Sequence, residues 1–151
     1  MPHDALRVDL RRDVPEGYRA LAALTRAGHP DHVLSDLVKI RASQINGCAY
    51  CIHLHTGAAR TGGEREERIT VVEGWRESDL FDARERAALD LCELLTRSTD
   101  LARAESPEAA SIWDAASAAF PDPELGQVVM TITGINAWNR AIIASGVAPG
   151  D

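Results

Sequence analysis

The sequence predicts an all-α fold of about seven helices, in a single domain over residues 1–151. Three observations carry this. Apolar residues recur three and four positions apart through nearly the whole chain. Helix-start and helix-stop residues bracket those segments, and no run alternates apolar and polar residues as a half-buried strand does. With 45% apolar and 26% charged residues, 151 residues are enough for a hydrophobic core.

The elements follow in order. Pro15 suits a first helical position and Gly28 a stop, so "PEGYRALAALTRAG" reads as one helix. A second runs from about Asp31 to Ile45, with Leu34, Leu37, Val38 and Ile45 on one side. Asn46-Gly47 ends it. A third runs from near Cys48 to about Arg60, before Gly62-Gly63, and a short one from Glu64 to about Val72. In "DARERAALDLCELLTRS" the apolar stripe is Ala87, Ala88, Leu91, Leu94 and Leu95, which leaves Arg84, Glu85, Asp90 and Glu93 facing water. Ser106, Pro107 and Glu108 supply an N-cap, a first position and an acidic first turn for a helix reaching Phe120. The last helix starts after Pro121 and Pro123 and carries Leu125, Val128, Val129, Ile132, Ile135 and Ile142 at helical spacing. Asn136 and Asn139 lie close to that stripe beside Trp138 and read as buried contacts between helices or subunits, with substrate contact the alternative; Trp75 and Trp113 read as core or interface.

A net charge of −7, with arginines scattered among acids, argues against a nucleic-acid partner, since such proteins carry basic stripes that displace counterions from phosphates. No stretch approaches the ~18 apolar residues that span a bilayer, so no membrane partner is expected. The opening "MPHDALRVDLRRDVPEG" has charges where a signal peptide has an apolar core, which makes a cytoplasmic location the expectation. An odd count of three cysteines fits thiols kept reduced. Cys92, near an apolar stripe, reads as a small hydrophobe.

The chemistry concentrates in "NGCAYCIHLHTGAAR". Cys48, Cys51 and His55 are separated by three and then four residues, so they share one helix face; His53 is turned away from it by about 200°. A tetrahedral metal site using all four residues cannot form on one continuous helix, and no second ligand pair completes one. A disulfide across one helical turn staples almost no loop and would add little stability. A redox dithiol fits better. The Asn46-Gly47 break puts both cysteines in a first turn, where free N–H groups and the macrodipole favour a thiolate. His55 is placed to accept the Cys51 proton or to orient a water that does, and Asp36, on the preceding helix of an antiparallel hairpin, is at nearly the height of His55 and available to orient it directly or through water.

The stretch "LSDLVKIRASQINGCAYCIHLHTGAAR" resembles the core of the alkylhydroperoxidase D-like (AhpD-like) group in the carboxymuconolactone decarboxylase superfamily. The signature there is Glu, eleven residues, C-x-x-C, three residues and His. Similarity continues through "VVEGWRESDLFDARERAALDLCELLT" and "INAWNRAIIASGVAPG". The resemblance implies an all-α fold with a central helix hairpin carrying the C-x-x-C pair, a homo-oligomer such as a trimer or hexamer, and thiol-dependent peroxidase activity. Cys51 would then be the peroxidatic thiolate, Cys48 the resolving thiol, and His55 with Asp36 the proton relay. The substrate would be a hydroperoxide. No cofactor is implied, only an external dithiol or protein reductant. Two positions depart from the pattern. Asp36 replaces the signature Glu, and Tyr50 occupies a place where the best-known peroxidases of the group carry His; Tyr50 can still support the site as a hydrogen-bond donor. A redox-sensing or binding module without turnover, and a decarboxylase-type lyase of the same superfamily, are the alternatives.

Overall fold

The structure is a computed structural model that describes residues 6–98 and 105–149; the first five residues of the charged opening segment lie outside it. Among the described residues there are eight α-helices and no strand: α1 (Leu10–Asp13), α2 (Pro15–Arg26), α3 (His32–Asn46), α4 (Ala49–Thr61), α5 (Glu66–Val71), α6 (Ala83–Thr96), α7 (Pro107–Ala119) and α8 (Glu124–Ser145). A 3₁₀ segment, Val72–Glu77, follows α5. The additions to the sequence reading are the single turn α1, which Asp9 caps by accepting from the Arg12 N–H, and that 3₁₀ segment.

The caps explain the boundaries. Asp31 accepts from the N–H groups of Val33 and Leu34 and starts α3. Asp82 and Glu85 form a reciprocal capping box at α6. Ser106 caps α7 with Pro107 just inside it, as its sequence predicts. Gly47 ends α3 at φ 69°, the left-handed conformation that lets the chain reverse directly into α4.

Helix α3 is the axis of the fold, packing against α4, α6 and α8. It is therefore buried on more than the expected stripe: Ile40, Ala42 and Ser43 are as enclosed as Leu37 and Val38. One core cluster gathers Leu34, Val38, Leu91, Phe120, Val128 and Ile132; a second gathers Leu37, Ile40, Val72, Trp75, Phe81 and Leu89. Trp75 is core, and Trp113 packs partly buried at its margin. Helix α2 lies on α8 because Gly28 permits it: a Cβ there would stand 2.6 Å from the Thr131 hydroxyl oxygen. Trp138 donates its indole N–H to Thr25 at 2.7 Å and meets Tyr18 edge-on across the same contact.

Two acids expected to face water do not. Glu93 is only 5% exposed. Its carboxylate accepts hydrogen bonds from Arg41 Nε (2.7 Å), Trp75 Nε1 (3.0 Å), Arg76 Nη1 (2.8 Å) and Arg97 Nη1 (2.9 Å). Burial alone would raise its pKa, but the Trp75 and Arg41 hydrogen bonds and the arginine charges outweigh that and hold it below the usual glutamate value. Glu85 closes the α6 capping box and is drawn inward by Arg68, which also pairs with Glu64. Periodicity exposed both acids; cations largely from distant segments enclose Glu93 and draw Glu85 partly inward.

The asparagines complete the frame. Asn139, fully buried, donates to Ser43 Oγ at 3.0 Å, and Asn46 donates to both Asn139 (2.8 Å) and Asn136 (2.9 Å). Asn136 in turn donates to Thr96. This ladder ties the end of α3, one residue before the Gly47 reversal, to α8 and α6, as the helix-contact reading of these asparagines anticipates.

Candidate active site

The site sits where α3 turns into α4. Cys48 is the N-cap of α4, and its sulfur accepts the backbone N–H of Cys51 at 3.4 Å. The Cys48 N–H is itself held by the Ser43 carbonyl at 3.0 Å, so the reversal is pinned on both sides. The two sulfurs are joined as a disulfide with Cα atoms 5.3 Å apart, and both residues are buried. The pair thus stands in its oxidised form, and the loop it closes is too short for the bond to serve as a staple.

His55 lies one turn beyond Cys51. Its Nδ1 stands 3.7 Å from Asp36 Oδ1, with both side chains largely enclosed at 16% and 15% exposure. That is contact between a ring and a charge rather than a direct hydrogen bond. The antiparallel hairpin thus brings Asp36 to the height of His55, as residue counting along the two helices anticipates. His53 is exposed on the other side of α4. Cys92 is fully enclosed on α6, its thiol close to the Val38 carbonyl, and burial pushes that thiol up to about 12.

Beside this group lies a cavity of about 240 Å³, walled by Cys51, His55, Tyr50, Lys39 and the apolar surfaces of Leu54 and Trp138 among others. A second, of about 290 Å³, adjoins it through Tyr18, Tyr50, Trp138 and Ile142, and is closed by Leu6, Val8 and Leu10 of the N-terminal segment. That segment is tied down by the Arg7 N–H, which donates to the Ser145 carbonyl at 2.9 Å. Cys51 lines the first cavity while Cys48 is packed away from it, so the two sulfurs are inequivalent in access.

Of the residues singled out from sequence, Cys48, Cys51, His55 and Asp36 come together, and Tyr50 joins them as a shared wall of both cavities. Lys39 and Tyr18 were not anticipated. A signal existed for Lys39: it lies three residues after Asp36, on the same face of α3. Burial lowers its ammonium pKa from the ordinary lysine value, and the charge of Asp36 offsets only part of that.

Among known proteins, residues 12–94 match the model of the carboxymuconolactone decarboxylase family. The chain is 34% identical over 143 residues to YdfG, an uncharacterized protein of Bacillus subtilis (strain 168), covering 93% of this chain and 94% of that one. A solved structure of ATU0492 from Agrobacterium tumefaciens superposes with a TM-score of 0.85 at 30% identity, over 97% of this chain and 99% of that one. That protein is of unknown function and has been proposed as an antioxidant defence protein, AhpD. An uncharacterized peroxidase-related protein from Silicibacter sp. TM1040 shares the fold alone, at 23% identity and a TM-score of 0.73, over 89% of this chain and 71% of that one. A helix hairpin with a paired C-x-x-C at its turn, the matched family model and these full-length likenesses lead to one conclusion: the chain is an AhpD-like member of the carboxymuconolactone decarboxylase family.

Proposed function

We propose that the protein is a thiol-dependent hydroperoxide reductase in which Cys51 is the attacking sulfur. The observation that carries this reading is the inequivalence of the pair: Cys51 and His55 wall one cavity, while Cys48 lies within bonding reach but outside it. In the reduced pair, the Cys51 thiolate at the first turn of α4 attacks the terminal oxygen of a hydroperoxide and the O–O bond breaks. Cys51 becomes a sulfenic acid. The leaving alkoxide takes a proton from protonated His55 and departs as an alcohol. The Cys48 thiolate then attacks the sulfenic sulfur, forming the disulfide and releasing hydroxide, which the next proton converts to water. An external dithiol returns both cysteines to thiols and is itself oxidised to a disulfide. Asp36 holds His55 turned toward this chemistry.

Catalysis without a cofactor, a cytoplasmic setting with a thiol or protein reductant, and assembly as a homo-oligomer, trimer or hexamer, belong to the same reading. That assembly is consistent with Leu54, half exposed beside the cavity.

The test is peroxide consumption by the reduced protein with a dithiol donor. Cys51→Ser abolishes it, and Cys48→Ser halts at a sulfenic acid that dimedone traps on Cys51. Reduced wild-type protein that consumes no hydroperoxide with any dithiol donor would falsify the reading. A second reading, a redox switch without turnover, is favoured by the double use of Cys48 as bond partner and helix cap; it predicts one stoichiometric oxidation and no sustained consumption.

A further inference from the structure

Lys39 has no part in the sulfur chemistry, yet it lines the same cavity as Cys51 and His55. The rest of that wall is mostly apolar or aromatic, with Tyr18, Leu54, Ile135, Trp138 and Ile142 contributing. Other partly buried cations are met by protein acceptors: Arg41 by Glu93, Arg68 by Glu64 and Glu85, Arg84 by Glu124, and Arg86 by the Trp75, Ser78 and Arg76 carbonyls. Lys39 makes no hydrogen bond or close ion pair with any described residue. Its nearest acid on α3, Asp36, has its Oδ1 toward His55 on the neighbouring helix.

An ammonium carries three donors and no acceptor, and withdrawing it from water is costly unless an anion meets it. A mostly apolar cavity with one fixed charge is also the usual design by which a small ligand is oriented, the body held by area and one end by the charge. We propose that this cavity binds an amphipathic carboxylate: a small organic acid whose carboxylate is held by Lys39 and whose aliphatic or aromatic body lies against Tyr18, Trp138 and Ile142. The adjoining cavity behind Tyr50 and Trp138 gives a longer body room to continue. On the peroxidase reading above, the preferred substrate is then a hydroperoxide that also bears a carboxylate, with Lys39 as its specificity-determining residue. The binding claim does not depend on that reading; the substrate claim does.

The experiment uses the full chain in its disulfide form, with binding followed by calorimetry and by fluorescence of Trp138 in the cavity wall. The probes are octanoate, octanol and acetate. Octanoate binds about tenfold tighter than octanol, a ratio within reach of one charge contact, and acetate, which has the charge without the body, binds too weakly to measure. Lys39→Met brings the octanoate-to-octanol ratio to about one, and Lys39→Arg keeps most of it. The wild-type ratio needs no variant, so a poorly folding Lys39→Met does not remove the test. Equal binding of octanoate and octanol to the wild-type protein overturns the proposal. Arg11 lines the outer cavity, so a ratio that survives Lys39→Met but falls in Arg11→Met would place the anion there and likewise overturns the proposal. The substrate claim is read from kcat/KM for para-carboxycumene hydroperoxide against cumene hydroperoxide, expected to favour the acid in wild type and to level in Lys39→Met. Turnover of both without preference overturns the substrate claim. Octanoate held through Lys39 by a protein that reduces neither hydroperoxide overturns the peroxidase reading and leaves the binding site standing.

Discussion

Asp36 Oδ1 and His55 Nδ1 face each other across the α3–α4 hairpin at 3.7 Å, nearly a full ångström beyond a good hydrogen bond. In the proposed relay the carboxylate would steer the ring without a direct hydrogen bond to it. Lengthening the acid by one methylene should close the gap. Asp36→Glu is therefore expected to match or exceed the wild-type rate of Cys51 oxidation in stopped flow. Asp36→Asn should lower it by about tenfold or more, toward the range lost when general acid–base help is removed. Equal rates in all three proteins would exclude any role for the acid.

Cys92 should be silent. Burial raises its thiol to about 12, so almost none is thiolate at neutral pH. Native disulfide-form protein treated with iodoacetamide at about pH 8, near the free thiol pKa, is expected to take up no label. The same protein unfolded without reductant should take up one, on Cys92. After reduction of the native protein, Cys51 should label ahead of Cys92, because Cys51 lines a cavity while Cys92 is fully buried. Peptide mass mapping reads all three results.

Glu93 makes stability depend on acid. Its folded pKa lies below the unfolded value, so its contribution is complete above the ordinary glutamate pKa of about 4.3 and is lost as pH falls through the lower folded value. Urea midpoints should hold steady near neutral pH and fall in acid. Glu93→Gln strands the enclosed Arg41 charge and should cost about 3–5 kcal/mol near neutral pH. It should also flatten the acid limb.

Gly47 tests the reversal. A Cβ at this residue meets nothing within 4 Å, so any cost of Gly47→Ala comes from the left-handed backbone alone. About 1–2 kcal/mol of stability should be lost. Gly47→Asn should lose less, since asparagine tolerates that conformation. Thermal melts of the three proteins, compared at equal concentration, decide it.

Local chemistry made much of this molecule legible. Ser106-Pro107-Glu108 and the Asn46-Gly47 break mark their helix ends because caps and left-handed stops depend on neighbours in the chain. Cys48, Cys51 and His55 fall on one face through helical spacing alone. Asp36 followed from counting down two helices joined by a two-residue turn. Glu93 was misplaced because its surroundings are assembled from Arg41, Trp75 and Arg76, which no local period connects to it; only Arg97 is a helical i,i+4 neighbour. The cavity was hidden for the same reason. Its walls come from α2, α3, α4 and α8, and its outer half from an N-terminal segment with no long periodic run of its own.

Cys48 occupies two offices at once. The sulfur that closes the bond to Cys51 also receives the Cys51 amide proton and so marks the start of α4. The disulfide and the start of the helix therefore share an atom, so breaking the bond is expected to disturb the cap. The Cys51 amide resonance becomes a gauge of oxidation state, readable by nuclear magnetic resonance without any reagent touching the thiols.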